Sequence, residues 1–122
     1  MISGISERTF TAQDGSSAVV VTPRGELDLG AIASLDGALR SALAASGSPP
    51  RLVIDLSDID LLAPVVLGVL LDVRRRCQGA GGAMSLVVTS PEIGATLVDA
   101  GVEPLFDVAA GLQDAIQRLS AG

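Results

Sequence analysis

The side chains that could do chemistry in this sequence are acids, arginines and one thiol. Asp55, Asp58 and Asp60 follow one another closely. Carboxylates so spaced could form an acid–base pair or a cation site, but the calcium-loop spacing is absent and no partner acid or base lies near. Loop solvation and capping are the plainer reading. Cys77 is the single cysteine; it shares a stripe with Leu70 and Val73 and reads as a buried, inert thiol. Arg74-Arg75-Arg76 resembles a basic patch, yet a solvated helix surface is the commoner meaning of such a run. Asp72 stands one turn before Arg76 and can pair with it. Gly79-Ala80-Gly81-Gly82 has neither lysine nor Walker spacing, so it is a turn and not a phosphate cradle.

The absences narrow this further. The chain has no His, Lys, Tyr or Trp, and only two Phe, Phe10 and Phe106. Without His or Lys there is no Ser-His triad, imidazole base, Schiff base or P-loop lysine. One Cys forms neither an internal disulfide nor, without His, a structural zinc site. No catalytic residue, metal or cofactor is expected. A net charge of −6 with 14 acidic residues repels a phosphate backbone, and two Phe make no base-stacking platform, so no nucleic acid is expected as a partner.

These residues need elements to hold them. The 122 residues, 48% hydrophobic, suit a single domain over 1–122 and are too apolar for disorder. The longest apolar run, Leu61 to Leu71 between Asp60 and Asp72, falls well short of the roughly 20 residues of a spanning helix. It reads as a buried core element, with no membrane insertion. The N-terminus has no apolar signal segment, which predicts a cytoplasmic protein with a reduced thiol.

Ile5–Thr11 predicts a first strand. A turn over Gln13–Ser16 leads to Ser17–Pro23, whose continuous Ala18-Val19-Val20-Val21 implies cover on both faces. Gly25-Glu26-Leu27-Asp28 reads as a turn, with Asp28 as N-cap of a helix over about 29–45. Ile32, Leu35, Leu39 and Leu43 form its apolar stripe. Arg51–Leu56 predicts a strand, about 64–78 a helix, and Met84–Thr89 another strand. Ser90-Pro91-Glu92 starts a helix carrying Ile93, Leu97 and Val98, closed by Gly101. Pro104–Val108 predicts a short edge strand, and Ala109–Leu119 a last helix with Leu112, Ile116 and Leu119 inward. Strands alternating with helices after two leading strands make an α/β mixed sheet of about five strands with about four helices packed on it.

Three segments, in this order and spacing, resemble the STAS domain of bacterial anti-sigma factor antagonists. The first is Val21-Thr22-Pro23-Arg24-Gly25-Glu26-Leu27-Asp28, like the family's Gly-Glu-Leu/Ile-Asp turn. The second is Leu52 to Asp60, followed by Gly68-Val69-Leu70-Leu71, like its strand, phospho-site loop and second helix. The third is Gly81 to Pro91, then Ala100-Gly101-Val102 and Leu105-Phe106. In the family the loop before the second helix reads Asp-Ser-Ser-Gly-Leu-Gly, and an anti-sigma kinase phosphorylates the second Ser. Anchored on Leu67-Gly68, this chain has Ala63 in the Asp slot, Pro64 in the first Ser slot, Val65 in the phospho-acceptor slot and Val66 in the Gly slot. Val65 has no oxygen to phosphorylate, and Pro64 removes one amide from the first turn.

The resemblance implies a non-enzymatic module that binds an anti-sigma factor, a regulatory protein of kinase fold, and so acts on sigma-factor-dependent transcription in a bacterial stress response. The usual serine switch is missing. Glu26, Asp28, Ala63, Pro64, Val65 and Val66 are the expected partner-binding residues, with a monomer or weak dimer as the free form. Two readings stand beside it: a STAS scaffold or accessory subunit of a stress-signalling or transport complex, and a small nucleotide hydrolase, for which no nucleophile or base is identifiable.

Overall fold

The computed structural model describes residues 2–11, 15 and 17–121; apart from Gly15, the turn expected over 13–16 lies outside them. Strands β1 (Ile2–Thr11) and β2 (Ser17–Leu27) pair antiparallel. There follow helix α1 (Ile32–Ala45), β3 (Arg51–Asp55), β4 (Ile59–Leu62), α2 (Leu67–Gly79), β5 (Ala83–Val87), α3 (Pro91–Asp99), β6 (Asp107–Ala109) and α4 (Leu112–Ala121). The sheet order is β1-β2-β3-β5-β6, and β4 pairs with the far half of β2. All pairings after the first are parallel.

The two faces of the sheet explain the continuous apolar strands. Val19 and Val21 of β2, with Leu52 and Ile54 of β3, point into the main core beneath α1, α2 and α3. Ala18, Val20 and Val53 point the other way, where Ala115 and Leu119 of α4 cover them. A strand capped by helices on both sides has no polar positions to alternate. On α1 the buried positions are Leu35, Leu39 and Ala42, with Ile32 and Leu43 packed at the margin. On α2 they are Leu67, Leu70, Val73 and Cys77, spaced three, three and four.

Among the described residues the sheet has six strands where about five are expected, and β4 is the addition. The run Leu61 to Leu71 is not one element. It is the end of β4, a proline-started 3-10 turn over Pro64–Val66, and the first half of α2. Hydrophobicity is shared by all three, so composition cannot divide them. Gly25-Glu26-Leu27 is likewise strand and not turn. Gly25, at φ 97°, stands where the β2–β4 register shifts: it lies opposite Ile59 and Glu26 lies opposite Leu61, so Asp60 is the extra residue of a bulge in β4. Val98 of α3 is exposed, whereas Ile93 and Leu97 are buried. The expected Pro104–Val108 strand is a 3-10 turn over Glu103–Leu105 followed by β6.

One close approach ties α2's exit to β3. The carbonyl of Pro50 accepts from Ala83 N–H at 3.0 Å, and a Cβ on Gly82 would run into that same carbonyl and the proline ring. Backbone on both sides leaves nothing flexible to yield. Gly82→Ala should therefore cost about 1–3 kcal/mol, measured as a lower urea midpoint at unchanged slope.

Burial pushes the Cys77 thiol up to about 11. An unfolded cysteine ionises near about pH 8.5, so above that pH the unfolded state holds fewer protons than the folded one. The stability contributed by this group is fully present below about pH 8.5 and is lost as pH rises towards 11. The chain has no His, Lys or Tyr to titrate alongside it. Urea titrations from pH 8 to 11 should show stability falling with pH in the wild type, and that fall should be smaller in Cys77→Ala.

Candidate functional site

The candidate site is built where β2 and β4 end side by side. Beyond the bulge, Glu26 lies opposite Leu61, and Leu27 opposite Leu62. The ladder is extended at both ends: Gly25 N–H donates to the Asp58 carbonyl at 3.4 Å, and Ala63 N–H to the Leu27 carbonyl at 2.9 Å. Each strand then runs into a 3-10 turn, Leu29–Ala31 before α1 and Pro64–Val66 before α2. The two helix entries are therefore neighbours on one end of the molecule.

Each entry is shaped by its own sequence. Asp28 is extended, at φ −110° and ψ −172°, and occupies the N-cap position. Its main-chain carbonyl accepts from Ala31 N–H at 3.0 Å, while its carboxylate makes no capping hydrogen bond to the turn. Asp28 is thus the N-cap by position, as expected, with its main-chain carbonyl accepting the first bond of the turn. Ala63 is also extended, at φ −73° and ψ 138°, as the residue before a proline must be. Pro64 then starts the turn, and Val66 N–H donates to the Ala63 carbonyl at 2.9 Å.

The expected residues separate into outward and inward groups. Glu26 and Pro64 are exposed, and Val65 is 52% exposed. Asp28 and Ala63 are half-buried. Val66 is fully buried in the main core and cannot present a surface to a partner. It stands three and four residues before Val69 and Leu70, so it continues the inward stripe of α2 as that helix begins. Two side chains not singled out from the sequence join the outward group: Leu29, 71% exposed, and Leu61, 43% exposed. Leu61 would be legible once β4 is recognised, because its register sets it beside Glu26. Leu29 carries no such signal.

Leu29, Leu61, Pro64 and Val65 are thus exposed apolar residues of the two strand ends and helix entries, with Glu26, Asp58 and Asp60 exposed and Asp28 half-buried on the same segments. Residues 63–66 hold no hydroxyl. The Ser57 hydroxyl is engaged in the turn before β4, donating to Asp55 Oδ1 at 2.7 Å, with the Ser57 N–H on the same oxygen at 3.0 Å. Asp55 is therefore a turn lock. Among the described residues no three His, Cys, Asp or Glu side chains are grouped to hold a metal ion, and no helix is long and apolar enough to cross a membrane. On α2, Arg76 beside Asp72 holds that carboxyl below the usual carboxylate range, at 3.0 Å, with Arg75 at 3.7 Å.

Comparison with known proteins identifies the family and the fold. The family model of the STAS domain matches residues 9–115. The fold is similar to the crystal structure of an anti-sigma factor antagonist from Mycobacterium paratuberculosis, at TM-score 0.77 and 24% identity, covering 96% of this chain and 95% of that one. It is similar to a putative anti-sigma factor antagonist from Thermotoga maritima, at TM-score 0.77 and 16% identity, covering 93% and 94%. The anti-sigma factor antagonist SpoIIAA in its unphosphorylated form superposes at TM-score 0.71 and 18% identity, over 96% and 98%. No curated protein sequence matches the chain.

Proposed function

Because the chain belongs to the STAS domain family, we propose that it is a protein-interaction module of the anti-sigma factor antagonist kind. It binds an anti-sigma factor of kinase fold through the paired helix entries and so acts on sigma-factor-dependent transcription. The observation that carries this reading is the exposure of Val65, Leu29 and Leu61 together at that end. Large apolar side chains held outward on rigid elements, beside polar neighbours, mark an interaction surface.

The same observation bears on control. A phosphate of about −2 charge acts by adding oxygens and charge at a hydroxyl, and residues 63–66 offer none. Binding is therefore constitutive at this loop, set by protein level or by another input. Asp58 and Asp60 are exposed beside the apolar centre, so the complementary partner carries basic groups around an apolar one.

A second reading, a STAS scaffold or accessory subunit, draws on β1. Its ten residues pair with β2 alone and leave a long free edge among the described residues, a ready template for another strand. Light scattering separates the two: a large self-assembly favours the scaffold, a monomer or dimer favours the antagonist.

Titration calorimetry against an anti-sigma factor from the same organism tests the leading reading. Val65→Asp should weaken binding by about 30-fold, or about 2 kcal/mol, with the thermal midpoint unchanged because the side chain faces out. The affinity of the wild type should fall as salt is raised. Undiminished binding by Val65→Asp would remove this surface from consideration.

A further inference from the structure

The arginine run Arg74-Arg75-Arg76 has a use that the interaction surface does not absorb. Arg75 and Arg76 both reach back to Asp72, at 3.7 and 3.0 Å. Arg74 points to another side of α2, is half-buried, and makes no hydrogen bond or ion pair among the described residues. It lines an open surface cleft of about 340 Å³ between α2, the start of β5 and the segment leading into β6. Gln78, one turn along from Arg74, lines the same wall, and the apolar part of the lining is Leu105 with the outer edges of Met84 and Phe106, whose bulk lies in the main core. Phe106 is one of only two aromatic residues in the chain, and Leu105 at the rim is 45% exposed.

The charge balance of this cleft favours an anion. Its one acid, Asp107, is already held by Arg118 at 2.8 Å, so Arg74 has no internal competitor. One guanidinium in a chain of net charge −6 matches a monoanion better than a dianion, and its planar fork matches a carboxylate. The cleft is small and open, and its apolar edge at Leu105, Met84 and Phe106 is short, which limits a ligand to a short hydrocarbon body. We propose that this cleft binds small apolar monocarboxylates, the carboxylate on Arg74 with Gln78 as a further donor, and the tail against Met84, Leu105 and Phe106. The site stands at the end of the sheet where β5 begins, opposite the end where β2 and β4 finish. It is independent of the proposed interaction surface.

Titration of the full chain with hexanoate, hexanol and hexyl phosphate, followed by NMR, tests it. Hexanoate should give saturable shifts at the Met84 and Leu105 methyls, the Phe106 ring and the Arg74 side chain, with hexanol about tenfold or more weaker, the discrimination of one charge-assisted hydrogen bond. Arg74→Met should abolish the preference for hexanoate while the rest of the spectrum stays in place. Equal binding of hexanol, an unaltered preference in Arg74→Met, tighter binding of hexyl phosphate, or no saturable shift up to about 10 mM hexanoate would each overturn the assignment.

Discussion

Strand β2 has to satisfy two sets of neighbours, and the rest of the molecule is arranged around how it does so. Its first half lies between β1 and β3 and is buried on both faces. Its second half leaves β3 and takes β4 instead. The exchange falls at Gly25, whose left-handed φ of 97° costs glycine little and other residues much. The exchange leaves β2 and β4 ending together, and their two helices starting together.

That shared terminus decides what the chain can present. A helix entry with free amides suits an anion, but Pro64 removes an amide from one entry, and Asp28 sets a carboxylate beside the other. Val65, Leu29 and Leu61 then fill the exposed ground with methyl groups. The outcome is a set of exposed apolar side chains with acidic neighbours. Inward of it, Val66 and Leu67 anchor the same turn in the core.

The arginines show how local pattern and tertiary placement divide the work. Spacing alone pairs Arg76 with Asp72 and Arg40 with Asp36, at 3.0 and 2.9 Å, since four residues make one helical turn. Arg118 reaches Asp107 across eleven residues, which only the packing of α4 beside β6 brings about. Arg74 lies in the same run as two paired arginines and is distinguished from them solely by the side of α2 it occupies.

Much of the fold was legible because its signals are local. The unbroken apolar runs at 18–21 and 52–54, the 3.6-residue stripes of α1 and α2, and the Ser-Pro-Glu start of α3 each follow from propensity and burial over a few residues. The absence of a hydroxyl at 63–66 is likewise a property of the sequence by itself, as is the lack of His and Lys that removes most catalytic chemistry. What only the tertiary structure decided is which of several similar apolar side chains face water. Leu61 and Leu62 are adjacent and alike, yet one is 43% exposed and the other 2%, because the register of β4 on β2 sends neighbouring side chains to opposite faces. Val65 and Val66 part in the same way, through the turn that Pro64 begins. Hydrophobicity specifies that a residue prefers burial; the number of places in the core, set by the packing of helices on the sheet, specifies which ones are left outside.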